Sequence, residues 1–85
     1  MNLQFSSRSW EEYQYWQQSN PTILKRIHDL LKDISRTPYH GIGKPEPLKH
    51  ALAGYWSRRI NDEHRIVYQV RERVILIAQL RYHYE

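Results

Sequence analysis

The run Val74-Ile75-Leu76-Ile77-Ala78-Gln79-Leu80 constrains this chain more than any other stretch. It is apolar apart from Gln79 and rich in β-branched residues, the pattern of a strand covered on both faces. In a chain of 85 residues, a single domain (1–85) with little core area to spare, much of the rest has to cover it. The run leads directly into Arg81-Tyr82-His83-Tyr84-Glu85, which is polar, aromatic and ionisable. A buried strand holds its own end rigidly, so a cation, an imidazole and two phenols are presented at a fixed place. By themselves these residues fit a functional site or a frayed terminus equally well.

The elements available to cover that strand follow from spacing and punctuation. Leu3 and Phe5 alternate with polar neighbours and predict a short first strand. Ser9-Trp10-Glu11-Glu12 has the form of a capping box, opening a helix to about Gln18 whose Trp10, Tyr13 and Trp16 recur as a core stripe. Asn20-Pro21 reads as a cap followed by proline at the first helical position. In the helix that follows, Ile23, Leu24, Ile27, Leu30, Leu31 and Ile34 form one apolar face, with His28 on the polar side and without a chemical role. Thr37-Pro38 stops it.

From Tyr39 to Pro47 the chain is a loop in which Pro45 and Pro47 fix φ on either side of Glu46, stiffening the backbone that carries this carboxylate. Leu48 to Leu52 reads as a short strand and Ala53-Gly54 as a turn. Tyr55–Ile60 and His64–Val70 read as strands joined by Asn61-Asp62-Glu63, and Arg71-Glu72-Arg73 turns into the last strand. The expected class is α+β, two N-terminal helices against a mainly antiparallel sheet with a three-stranded meander.

Pairing these strands concentrates charge. A first hairpin turning about Asp62 sets Arg59 opposite Arg65, Ser57 opposite Val67 and Tyr55 opposite Gln69, all on one face. A second turning about Glu72 sets Arg65 opposite Gln79, with Arg81 and His83 continuing on that face. Trp56, Ile60, Ile66, Tyr68, Val70, Leu76, Ala78 and Leu80 then form the core face. Like charges directly opposed destabilise a hairpin, and an anion bound between the arginines would remove the conflict. A one-residue slip in either register undoes this arrangement.

Composition narrows the partners. The net charge is +4, and Lys and Arg outnumber Asp and Glu by 8 to 5 in residues 44–85 but only by 5 to 4 in residues 1–43. That basic half also carries Tyr55, Trp56, Tyr68, Tyr82 and Tyr84, and cations interleaved with aromatic faces suit nucleic acid, although ordinary surface charge gives the same count. The absence of cysteine excludes disulfides and thiolate chemistry. No basic leader with an apolar run opens the chain and no stretch reaches membrane-spanning length, so a cytoplasmic protein with no membrane partner is expected. The five histidines show no metal-site spacing, and Gly41-Ile42-Gly43-Lys44 lacks the length and the hydroxyl residue of a phosphate loop, so neither metal nor cofactor is expected.

The remaining groups are a carboxylate (Glu46), arginines (Arg59, Arg65), a lysine (Lys49), an imidazole (His83) and a phenol (Tyr84). RNA is cleaved when its 2′-hydroxyl attacks the adjacent phosphate, which requires a base at that hydroxyl, an acid at the leaving 5′-oxygen and cations for the phosphoryl charge. Reference pKa values of about 4.3 for Glu and about 6.5 for His suit the two roles.

Ser9-Trp10-Glu11-Glu12-Tyr13 with Tyr15-Trp16, Arg36-Thr37-Pro38, Gly43-Lys44-Pro45-Glu46-Pro47-Leu48-Lys49-His50, Gly54 to Ile60, Glu63 to Tyr68 and Arg81-Tyr82-His83-Tyr84 closely resemble the YoeB (Txe) toxins over nearly the whole chain. The resemblance implies a RelE-like fold related to small microbial ribonucleases. It further implies a toxin of a bacterial type II toxin–antitoxin pair that cleaves mRNA in the A site of the 70S ribosome. Such a toxin is usually a homodimer, is silenced by a YefM-type antitoxin, and meets operator DNA only in complex with it. By motif match Glu46 is the general base, His83 the general acid and Arg65 the phosphate stabiliser. Lys44, Lys49, Arg59 and Arg81 contact RNA, and Tyr84 positions the substrate, the acid role remaining shared between His83 and Tyr84. A non-catalytic toxin of the same fold, of the ParE type that inhibits gyrase, or a plain RNA-binding module is the alternative. One departure from the family pattern is Glu85, a carboxylate after the final tyrosine.

Overall fold

The computed structural model describes residues 1–83. Strand β1 (Asn2–Phe5) leads into helices α1 (Ser7–Ser19) and α2 (Pro21–Arg36), followed by β2 (Glu46–Pro47), a 3-10 turn (His50–Leu52), β3 (Trp56–Arg59), β4 (Arg65–Val70) and β5 (Val74–Gln79). The five strands form one sheet in the order β1-β5-β4-β3-β2, antiparallel except for β1, which runs parallel to β5 at the edge. This is the expected α+β architecture.

Helix α2 forms as its punctuation predicts. The Asn20 side chain accepts from the amides of Thr22 and Ile23, and Ile27, Leu30, Leu31 and Ile34 are buried on one stripe. They meet Ile66, Tyr68, Ile75 and Ile77 of the sheet and Ile60 and Leu80 just beyond the ends of β3 and β5, with Trp16 of α1 closing the core. Among the described residues no helix is long and apolar enough to cross a membrane.

The expected β3–β4 register is observed, with Arg59 opposite Arg65 and Ser57 opposite Val67. The second register differs. Val70 pairs with Ile75 and Tyr68 with Ile77, but Val67 pairs with Gln79, so Ala78 is an extra residue, a β-bulge. Arg65 therefore does not face Gln79. Ile75 and Ile77 enter the core in place of the expected Leu76 and Ala78, which are half-buried, and β5 is fully covered on one face only. An unbroken apolar run contains no alternation to reveal which set faces the helices.

Helix α1 also starts earlier than its capping box predicts. Ser6 is the cap and accepts from the Ser9 amide. Ser9, fully buried, donates instead to the Ile77 carbonyl at 2.6 Å, while Glu12 accepts from the Leu80 amide at 2.8 Å and Trp16 Nε1 donates to the Leu80 carbonyl at 2.9 Å. These three side chains of one helix face grip the bulged end of β5. Trp10 lies off that face and is 49% exposed, stacked on Tyr13 rather than buried. The stretch Leu48–Leu52 is no strand: His50 adopts φ 57°, and the following turn is closed by the Leu52 amide on the Lys49 carbonyl. Leu48 alone is tied to the sheet, its amide bonding the Tyr55 carbonyl.

Candidate functional site

Glu46 pairs with Ser57, Ser57 with Val67 and Val67 with Gln79, so one row of outward side chains crosses four strands. Arg59 and Arg65 lie two residues along β3 and β4 from that row and share its face. Strand spacing of about 4.8 Å sets Glu46 roughly 10 Å to the side of the strand that carries Arg65. Glutamate and arginine side chains can close on a phosphodiester from the two sides of such a gap.

Arg65 is buried and fixed: its Nη1 donates to the carbonyls of Asn61 (2.6 Å), His64 (3.1 Å) and Asp62 (3.3 Å). The Asp62 carbonyl also receives His83 Nε2 at 3.2 Å. Guanidinium and imidazole thus converge on one oxygen, within two hydrogen-bond lengths of each other. Arg59 is exposed, as are Lys44 and Lys49. Among the described residues none of Lys44, Lys49, Arg59 and Arg65 is paired with a carboxylate side chain. A face carrying unpaired cations attracts anions.

Two clefts open on this side of the sheet. One, about 470 Å³, is lined by Glu46, Lys49 and the 3-10 turn; the other, about 380 Å³, by Arg8, Tyr55, Val67, Gln79, Tyr82 and His83 with the same turn. Ala51 and Leu52 form the ridge between them. Both volumes fall within the range of roughly 300–1,000 Å³ common for ligand sites. The described non-glycine residues with positive φ are Lys44 (54°), His50 (57°) and Tyr82 (65°), each within two residues of Glu46, Lys49 or His83. Backbone strain of this kind persists where surrounding contacts over-determine it.

The predicted residues are not all together. Glu46, Arg59 and Arg65 share the face, His83 reaches its end, Lys49 lines the first cleft, and Lys44 stands in the loop before β2. Arg81 does not continue on that face as expected. The chain leaves the sheet after Gln79, and the Arg81 guanidinium packs 3.7 Å over the Tyr15 ring of α1, outside both clefts. Tyr84 and Glu85 lie outside the described residues.

Spacing missed Arg58, which is 0% exposed and spends all five donors. Its Nε donates to the Tyr68 hydroxyl, Nη1 to the Asp33 carboxylate and the Ile42 carbonyl, and Nη2 to the carbonyls of Thr37 and His40. The Tyr68 hydroxyl donates in turn to the Pro38 carbonyl at 2.6 Å. The bonded guanidinium holds the Asp33 carboxyl below the usual carboxylate range against the opposing effect of burial, and burial pushes the Tyr68 phenol up. This network shapes the loop that delivers Glu46. A signal was present: Arg58 lies between Trp56 and Ile60 on the core parity, and a charge there must be paired.

A model of the YoeB-like toxin of bacterial type II toxin–antitoxin systems matches residues 5–84. Toxin YoeB of Escherichia coli (strain K12) is 56% identical over 84 residues, covering 99% of this chain and 100% of that protein. The structure of a YoeB/ParE toxin from Agrobacterium tumefaciens superposes with a TM-score of 0.96 at 45% identity, covering 99% of this chain and 100% of that one. Staphylococcus aureus YoeB, solved as a dimer (50% identity) and in a YoeB–YefM complex (52%), superposes with a TM-score of 0.91 in both, covering 99% of this chain and 98% of each. The fold is RelE-like, and the chain belongs to the YoeB-like toxins of bacterial type II toxin–antitoxin systems.

Proposed function

We propose that this toxin is an endoribonuclease that cleaves mRNA in the ribosomal A site by metal-independent acid–base catalysis and so stops translation. Glu46 takes the proton from the 2′-hydroxyl, whose oxygen attacks the adjacent phosphorus while the bond to the 5′-oxygen breaks. His83, or Tyr84 beyond it, returns a proton to that leaving oxygen, and the product ends in a 2′,3′-cyclic phosphate. Arg65, held by three carbonyls, faces the charge that grows on the phosphoryl oxygens, with Arg59 and Lys49 beside it. Lys44 and Arg81 are assigned to RNA from the motif match alone, and Arg81 reaches RNA only if it leaves its place on Tyr15.

The observation that carries this reading is the pairing of Arg59 with Arg65 on the face that also bears Glu46 and ends at His83. A module that merely binds RNA needs cations and aromatics but no base and acid set on either side of them. By analogy with Staphylococcus aureus YoeB, solved as a dimer and in a complex with YefM, the toxin forms a homodimer and binds a YefM-type antitoxin. The exposed cations of the arginine face suit an acidic or amphipathic antitoxin segment, which silences the toxin by covering them. Together they bind their operator, and the free toxin acts in the bacterial cytoplasm, where its ribosomes are.

Primer extension on an mRNA in a translating extract, with wild type against Glu46→Ala and with and without ribosomes, tests the proposal. Cuts that need ribosomes and fall by about a hundredfold or more in Glu46→Ala are expected, and likewise in Arg65→Ala and His83→Gln. Blocked translation without cuts would mean a binder, untouched translation would redirect attention to gyrase, and a 5′-phosphate product would end the mechanism.

A further inference from the structure

The segment after β5 exposes most of what it carries, yet it is held tightly. Tyr82 is 48% exposed and His83 is exposed, so apolar burial does not determine their positions. Polar contacts do. The buried Gln79 amide donates through Nε2 to the carbonyls of Arg81 (2.7 Å), His83 (2.8 Å) and Tyr82 (3.3 Å). The Tyr82 amide donates to Nδ1 of the buried His64 at 2.7 Å, and the Tyr82 carbonyl accepts from the Arg65 amide at 3.0 Å. Both peptide groups that flank the Tyr82 Cα are therefore gripped, which sustains its left-handed φ of 65°.

The bulge makes this possible. In an unbroken strand Gln79 would share the inward parity of Ile75 and Ile77, and its amide would point into the core. The extra residue Ala78 turns Gln79 outward, opposite Val67, and sends Leu80 into the core instead. Ser9, Glu12 and Trp16 hold that bulge from α1. A conspicuous share of the polar contacts of α1 thus fixes the base on which the terminal segment folds back across the start of β4.

We infer that Gln79 and His64 are positioning residues, a polar latch that folds the Arg81–His83 segment back so that the His83 imidazole stands beside Arg65, on the Asp62 carbonyl that both of them bond. Neither side chain touches the reacting atoms; each acts through His83, and so the role in cleavage rests on the function proposed above. In Gln79→Glu a carboxylate of nearly the same shape faces three carbonyl oxygens and repels them. In His64→Leu the Tyr82 amide loses its acceptor, whereas in His64→Asn the side-chain oxygen takes the place of Nδ1 and restores it.

Hydrogen exchange on the full chain tests the latch independently of catalysis. Gln79→Glu and His64→Leu should accelerate exchange of the Tyr82 amide by about tenfold or more, with Ile66 and Ile77 amides unchanged and His64→Asn close to wild type. Cleavage of ribosome-bound mRNA should lose about tenfold in kcat in the same two variants with KM within about twofold, and recover in His64→Asn. Unchanged exchange overturns the latch, and faster exchange with undiminished kcat overturns its role in positioning His83. A wild-type protein that cuts nothing would overturn the proposed function instead, and the exchange measurement would still decide whether the latch exists.

Discussion

Replacing Asp33 by alanine removes the one carboxylate bonded to Arg58 among the described residues, and its cost follows from where the guanidinium sits. Arg58 is 0% exposed, so its charge cannot recover hydration, while the Asp33 side chain is 14% exposed. Breaking a buried ion pair from one side typically costs about 3–5 kcal/mol because the other charge is stranded. Here four neutral acceptors still face Arg58, and water can enter beside the partly exposed Asp33 position, which favours the lower end. The Ile42 amide, which also bonds Asp33, loses a partner in addition. We expect a loss of about 3 kcal/mol. A chain of this size has roughly 4–13 kcal/mol of stability, and each kcal/mol moves the midpoint by about 4–8 °C, so Tm should fall by about 12–24 °C.

Thermal and urea unfolding followed by circular dichroism measure that loss, and a cycle with Arg58→Met isolates the pair. A coupling energy of at least about 1.5 kcal/mol is expected. Acid unfolding offers a second route. Because the folded carboxyl titrates below its ordinary 3.8, the unfolded chain takes the proton first as pH falls. The Asp33 contribution is complete above pH 3.8 and disappears as pH falls through the lower folded value, a dependence that Asp33→Asn should abolish. A loss under about 0.5 kcal/mol, or strict additivity in the cycle, would refute the account of Arg58 as the organiser of the loop before Glu46.

Two further perturbations separate backbone conformation and protonation. A Cβ at Gly43 would meet Leu30 Cδ2 at 2.7 Å on a backbone with φ +81°, whereas at Gly54, φ +93°, the nearest neighbour is 3.6 Å away. Gly43→Ala should therefore cost about 2 kcal/mol and Gly54→Ala about 1 kcal/mol, and equal urea midpoints for the two variants would contradict this. Burial lowers the pKa of His64 from 6.5, with Arg81 and His83 acting in the same sense and Glu63 and Glu12 opposing. As pH falls below 6.5 the unfolded chain protonates first, so the stability due to His64 is complete above that pH and is lost as pH falls through the folded value. Urea midpoints between pH 7.5 and 5 should decline less in His64→Asn than in wild type, and parallel curves would count against it.

What could be read from the sequence is what neighbouring residues decide among themselves. The Asn20-Pro21 start of α2 is a matter of one turn, and its buried stripe is a periodicity within sixteen residues. The β3–β4 register was legible because the short Asn61–Glu63 link leaves one pairing that keeps Trp56, Ile66 and Tyr68 inward, and Arg59 and Arg65 meet as a consequence. The prolines on either side of Glu46 were recognisable for the same local reason.

Tertiary structure settled what depended on partners far along the chain. Ser9 and Glu12 had a satisfactory local use as a capping pair, but they bond Ile77 and Leu80 instead, almost seventy residues away, and so α1 starts at Ser7 and the bulge falls at Ala78. The apolar run of β5 holds no information on its own parity; α1 and α2 select Ile75, Ile77 and Leu80 for the core, and that choice turns Gln79 outward beneath His83. Arg58 could be placed on the core face by alternation, but its acceptors come from α2, the loop after it and β4, which only folding assembles. Residue identity thus determined which chemistry was available, while long-range packing decided which of those groups stand together, because a side chain's direction is fixed by the contact that buries its neighbour.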